Sequence, residues 1–95
     1  MIIDSHAHVG MTVFGPCLDK SAEGLLSLMD HLGIDVSISA NHHLVAGLLE
    51  KGFRTGSETY RLSEGRILNY AFFNPHYPKA YLTWARRCLE HHSFV

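Results

Sequence analysis

Short apolar segments alternate with longer amphipathic segments along the chain. Three of the short segments have the character of β-strands: Ile3–His8, Asp35–Ala40 and Ile67–Phe73. Asp35–Ala40 alternates apolar with small polar residues, the pattern of a strand with one face buried. Ile67–Phe73 is almost continuously apolar and aromatic, which is typical of a parallel strand covered on both faces. We therefore predict three strands, spaced far enough apart to hold a helix between each pair.

The amphipathic segments predict the helices. After a loop at Met11–Lys20, one apolar helix face is formed by Ala22, Leu25, Leu28, Met29 and Leu32, with Ser21 as N-cap and Gly33 as the left-handed stop. Leu44–Phe53 and Ser57–Glu64 are weaker helical candidates because glycines interrupt them. A last helix is expected over Lys79–His91, burying Tyr81, Leu82, Ala85, Cys88 and Leu89.

The order strand, helix, strand fixes the topology. A helix of this length cannot fit in a hairpin, so the strands must be parallel and joined by right-handed crossovers. The carboxyl ends of the strands then meet at one edge of the sheet. His42 and His43 follow the second strand, and Asn74 and His76 follow the third, so all four should lie on the same edge as His8.

The first strand contains the clearest chemical motif, Asp4-Ser5-His6-Ala7-His8. Residues two apart in a strand project to the same face, so Asp4, His6 and His8 should point together, opposite Ile3 and Ser5. Neutral imidazoles are common ligands of zinc and other divalent metals. The chain has eight histidines, so one such pair can also arise by chance as polar groups satisfied by hydrogen bonds.

Composition narrows the function classes. The chain has 95 residues, 46% of them hydrophobic and 18% charged, as in a single small globular domain. Its net charge of −1, without a basic block, argues against nucleic-acid binding. No apolar stretch is long enough to span a membrane, no signal peptide is expected, and Cys17 and Cys88 lack a paired spacing, so we expect a cytoplasmic protein with reduced thiols.

The remaining sequence features concern the core, nucleotide binding and the extent of the domain. Tyr70, Phe72, Phe73 and Trp84 are expected in the core, since aromatic side chains fill the layers around a parallel sheet. No glycine-rich nucleotide fingerprint is present. Ser93-Phe94-Val95 resembles the start of a fourth strand, so residues 1–95 are interpreted as a single partial domain, the N-terminal piece of a longer chain.

The histidine motif and two later segments of the chain resemble a known family. Ile3–His8 is similar to the opening motif of the amidohydrolase superfamily. His31–Asp35 and the third strand closing in Phe73–His76 resemble the amidohydrolase-related group that includes aminocarboxymuconate semialdehyde decarboxylase-like enzymes. The resemblance implies an α/β fold, about three βα units of a (β/α)₈ barrel with its site at the carboxyl ends of the strands.

The resemblance also implies a chemistry. His6 and His8 would be the first two ligands of a divalent metal ion, with zinc as the first candidate, and the other ligands would come from later strands. Asp4, His42, Asn74 and His76 would be supporting or substrate-facing residues, and Arg54 or Arg61 could contact an anionic substrate. The reaction would be metal-assisted hydrolysis of an amide or ester, or non-oxidative decarboxylation of a carboxylic acid. The 95 residues alone are expected to bind metal weakly and to be inactive.

Two alternatives remain open. TatD-like metal-dependent nucleases begin with a similar strand, although no basic phosphate-binding patch supports that assignment here. The chain can also be a short non-catalytic protein that completes its sheet as a homo-oligomer, since an unpaired sheet edge is normally covered.

Overall fold

The structure is a computed structural model that describes residues 1–10 and 21–95. Its strands are β1 (Ile3–Ala7), β2 (Val36–Ser39) and β3 (Ile67–Asn69), and its helices are α1 (Ala22–Leu32), α2 (His42–Val45), α3 (Leu49–Leu62) and α4 (Pro78–Leu89). The three strands form one parallel sheet in the order β1-β2-β3. The predicted α/β class and parallel topology are therefore confirmed. The predicted loop at 11–20, with Cys17, lies outside the described residues.

Helix α1 begins and ends where its sequence signals place it. The Ser21 hydroxyl accepts the Gly24 N–H at 2.9 Å, and Gly33 adopts a left-handed φ of 69° that lets the Ile34 N–H reach the Met29 carbonyl at 2.8 Å. Ala22 and Met29 are buried, whereas Leu28 and Leu32 at the edge of the predicted face are more than half exposed. The predicted position of the helix is therefore confirmed, but the predicted buried face is wider than the observed one.

The second helical region differs from the prediction. Instead of helices at 44–53 and 57–64, a single turn, α2, is followed by the continuous α3. Gly52 and Gly56, expected to weaken or end helices, lie inside α3, where a Cβ would come within 2.6 Å of Leu44 and 2.7 Å of Phe94 respectively. These glycines allow close packing, which is why they do not terminate the helix. The break falls at Gly47 instead, with a φ of 83°.

The third strand is shorter than predicted. β3 ends at Asn69, and the chain then leaves the sheet while Tyr70 N–H still bonds to Ser39 O and Ala71 N–H to Val95 O. Phe73, predicted as core, is 45% exposed, because beyond Ala71 the backbone turns away toward Asn74 and Pro75. Phe94 forms a parallel bridge with Asn69, so the predicted start of a fourth strand amounts to one bridged residue.

The helices pack on one face of the sheet. Met29 and Ala22 of α1 cluster with Ile67 of β3, and a second cluster joins Leu44, Cys88 and Phe94. On the other face, Ile3 is 55% exposed and Val36, Ile38 and Leu68 are only half-buried. Among the described elements, therefore, helices cover one face only, and the expectation of a sheet covered on both faces is not met.

Helix α4 corrects a further prediction. Tyr81 and Cys88 are buried, as expected, but Leu82 and Leu89 are 46% and 62% exposed and Ala85 is half-buried. The Tyr81 hydroxyl donates to the Leu44 carbonyl at 3.1 Å, which links α4 to α2. Cys88 is a free thiol, and burial raises its pKa. In the described part of the chain, no helix has the length and apolarity needed to cross a membrane.

Candidate metal-binding edge of the sheet

Strand β1 contains an irregularity at the histidine motif. Asp4 pairs with Ser37 and Ala7 pairs with Ser39, so β1 advances three residues while β2 advances two. This is the count of a β-bulge, which bends a strand and re-aims its side chains. Partnered residues of neighbouring strands share a face, so Asp4 and Ala7 lie on the helix-covered side with Ser37 and Ser39. The prediction that Asp4, His6 and His8 share a face is therefore wrong, because the bulge breaks the period of two.

Asp4 supports the bulge. Its Oδ1 accepts the backbone N–H of His6 at 3.1 Å. A bulge leaves a ladder donor without its usual partner, and a carboxylate two residues back is a common local acceptor for such a group. Asp4 is thereby linked to the backbone of His6 and not to its ring.

This contact gives a prediction for Asp4. Asp4→Ala should lower the free energy of unfolding by about 1 kcal/mol, since it removes one partly exposed hydrogen bond, and should accelerate amide hydrogen exchange at His6. Asp4→Asn should change both quantities much less, because the amide oxygen can still accept. Denaturant unfolding and exchange followed by NMR would measure these effects. Equal losses in the two variants would show that the charge, and not the acceptor, is required.

The two histidine rings of the motif meet on the side opposite Ala7. Nε2 of His6 lies 3.1 Å from Nε2 of His8, with the rings edge to face at 4.8 Å between centroids. Two nitrogens bound to one tetrahedral zinc, each at 2.0–2.1 Å, are separated by about 3.3 Å. The pair is therefore spaced as two ligands of one ion would be. Without an ion, the same spacing suits a hydrogen bond between the rings.

The orientation of His8 is set by the next strand. Its Nδ1 lies 3.1 Å from the carbonyl of Ala40, one residue after β2. A carbonyl can only accept, so Nδ1 carries the proton and Nε2 of the neutral ring keeps its lone pair. Histidines that bind metals are commonly held in this way, by a carbonyl or carboxylate on the second ring nitrogen. The Ala40 carbonyl is a functional group that side-chain patterns did not identify.

His42 and His43 follow β2 and differ in environment. The His42 ring lies 4.5 Å from that of His8, which confirms that the ends of β1 and β2 meet at one edge. His43 is 9% exposed, and burial, with smaller contributions from Lys51 and His42, lowers its pKa. His43 is buried because α2 turns it inward. Asn41 fixes this turn by accepting the His43 N–H at 3.0 Å.

The remaining candidates do not join the pair. Asn74 and His76 lie in the turn before α4, where Asn74 Oδ1 accepts the His76 N–H at 3.0 Å. Neither has a hydrogen bond or ring contact to His6 or His8 among the described residues. Arg54 and Arg61 lie on α3, and Arg61 forms a surface ion pair with Glu58 at 2.6 Å.

A residue that sequence reasoning assigned to the core does contact this region. Tyr70 extends across the sheet, and its hydroxyl donates to the carbonyl of Ser5 at 2.7 Å. That carbonyl is adjacent to His6 in the bulged segment. The only sequence signal for this role is the position of a tyrosine at the end of β3.

Among the described residues, the edge brings together the rings of His6 and His8, with the His42 ring beside that of His8. No group of three or more His, Cys, Asp or Glu side chains among residues 1–10 and 21–95 is arranged to hold one ion. A catalytic zinc ordinarily takes three protein ligands and a water.

Comparison of the chain with protein families, curated proteins and solved structures finds no match.

Proposed function

We propose that this chain supplies the first two metal ligands, His6 and His8, of a metal-dependent hydrolase or non-oxidative decarboxylase of the amidohydrolase type. The observation that carries the proposal is the pairing of their Nε2 atoms at 3.1 Å, with His8 oriented by the Ala40 carbonyl. The metal, with zinc as first choice, would lower the pKa of a bound water or polarise the substrate. The substrate would be a small amide, ester or carboxylic acid.

The fold supports the same proposal. Consecutive strands are neighbours in a parallel sheet, and the described helices lie on one face, as in successive units of a (β/α)₈ barrel. His8 and His42 meet at the carboxyl edge of the strands, where barrel enzymes bind their substrates. We therefore propose that the chain corresponds to about three βα units of such a barrel, working in the cytoplasm.

The ligand count limits what the chain does by itself. Two imidazoles hold an ion far more weakly than a complete set of three or four ligands. We propose that His6 and His8 act with ligands from later strands, and that this chain alone has weak zinc affinity and no metal-dependent turnover.

Isothermal titration with zinc tests the pair. The chain should bind zinc at the pair with a dissociation constant weaker than about 10 μM, and His6→Ala or His8→Ala should each reduce the heat from that site by at least tenfold. His31→Ala is the matched control, because His31 is an exposed histidine on α1. Sub-micromolar affinity that disappears in His6→Ala would refute the claim that the chain is insufficient. Unchanged binding in both variants would refute the pair as a metal site.

A further inference from the structure

A groove separate from the histidine pair lies between α3 and α4. Its volume is about 590 Å³, within the range of small-molecule sites. Three aromatic rings and three guanidinium groups contribute to its lining: Phe53, Tyr60, Trp84, Arg54, Arg61 and Arg87. We call it the α3–α4 groove. Neither His6 nor His8 lines this groove, whereas Arg54 and Arg61, considered above as contacts for an anionic substrate, do.

Arg87 is held in place by aromatic rings. Its guanidinium carbon lies 4.6 Å from the centroid of Phe53 and 4.8 Å from that of Trp84, so two cation–π contacts restrict it. Phe53 is itself stacked on Phe94 at 5.5 Å with an interplanar angle of 5°. The rings thus hold the Arg87 guanidinium, and no side chain among residues 1–10 and 21–95 forms a hydrogen bond or ion pair with its N–H groups.

Two arginines of the groove lack an acidic partner in the described part of the chain. Neither Arg54 nor Arg87 makes an ion pair or a side-chain hydrogen bond there, whereas Arg61 is occupied by Glu58. The lining contains three arginines, Arg54, Arg61 and Arg87, and two glutamates, Glu50 and Glu58. The groove is therefore net basic in a chain whose net charge is −1.

The aromatic groups of the lining supply ring surfaces beside these cations. His92 stacks on His91 at 4.4 Å and meets the Tyr60 ring at 4.9 Å. A planar ring stacks well on such surfaces, and an ordered guanidinium binds a phosphate through two parallel N–H bonds. A phosphate carries more acceptor oxygens than a carboxylate, which suits a groove lined by several arginines.

We propose that the α3–α4 groove binds a small aromatic phosphate monoester, its phosphate held by Arg87 and Arg54 and its ring against the aromatic side chains of the lining. This site is independent of the proposed metal chemistry. The chain contains one tryptophan, Trp84, so its fluorescence reports directly on the groove.

The test is a titration of Trp84 fluorescence with phenyl phosphate, with inorganic phosphate and phenol as the component probes. Phenyl phosphate should cause a saturable change and bind at least about tenfold more tightly than either component. Arg87→Gln should weaken binding by about tenfold or more, as expected for the loss of a charge-assisted contact. Arg87→Lys should weaken it less, since lysine keeps the charge without the planar fork. Arg86→Gln is the matched control, because Arg86 is an exposed arginine of the same helix that does not line the groove.

Particular results of this titration would overturn the proposal. No saturable change up to about 10 mM phenyl phosphate, or equal affinity in Arg87→Gln and Arg86→Gln, would overturn the proposal. Inorganic phosphate binding as tightly as phenyl phosphate would overturn the aromatic part. Circular dichroism of each variant confirms that it is folded, and His6→Ala should bind phenyl phosphate like the unaltered chain, whatever becomes of the metal site.

Discussion

Replacing Gly52 by alanine should destabilise this protein by about 3 kcal/mol, the upper range for inserting an atom into a packed site. Alanine normally improves an exposed helix interior by about 1 kcal/mol relative to glycine, so helix propensity predicts the opposite sign. Here a Cβ would lie 2.6 Å from the side chain of Leu44 and 2.9 Å from its backbone nitrogen. The side chain could rotate away, but the backbone atom cannot move without displacing α2.

The same position controls part of the histidine edge. The Gly52 carbonyl accepts the Asn41 side-chain N–H at 3.0 Å, and Asn41 in turn caps the turn that holds His42 and His43. A shift of α2 away from α3 should therefore also change the NMR signals of the His42 and His8 rings. Loss of stability without any change at these rings would show that the strain is relieved elsewhere.

Chemical denaturation of three variants measures the effect. Lys51→Ala, at an exposed position of the same helix, is the control and should be neutral within about 0.5 kcal/mol. Gly56→Ala should behave like Gly52→Ala, because its Cβ would meet Phe94 at 2.7 Å and the Asn69 side chain at 3.1 Å. A raised unfolding midpoint for Gly52→Ala would mean that α2 and α3 are not packed as closely as the structure shows.

Phe94→Ala should have the second large effect, a loss of about 3–5 kcal/mol. Phe94 is 5% exposed, stacks on Phe53 and belongs to the cluster with Leu44 and Cys88. Removing the ring would leave a cavity beneath α3 and remove the support of the α3–α4 groove. An ordinary domain has a free energy of unfolding of about 5–15 kcal/mol, so this loss would be a large fraction of the total.

Val95→Ala is the matched control for Phe94, since Val95 is 47% exposed and joins the sheet only through backbone bonds to Asn69 and Ala71. It should cost less than about 1 kcal/mol. Urea unfolding followed by circular dichroism would give both values. If Phe94→Ala were as mild as the control, the last residues would not be part of the core.

Several features of this fold were determined by local sequence. Ser21 and Gly33 bound α1 because a hydroxyl acceptor and a left-handed glycine act within one helical turn. The parallel order of the strands follows from the helix lengths between them, and the meeting of His8 and His42 follows from that order. The identity of the histidine pair was also evident from its spacing.

Other features were decided only by tertiary contacts. The bulge that turns Asp4 away from the two rings depends on pairing with β2, which the spacing of residues within β1 cannot reveal. Gly52 and Gly56 look like helix breakers in sequence, yet they lie inside α3 because Leu44 and Phe94 occupy the space that a Cβ would need. The Ala40 carbonyl that orients His8 is a backbone group present at every residue, so only its position in the fold gives it a role.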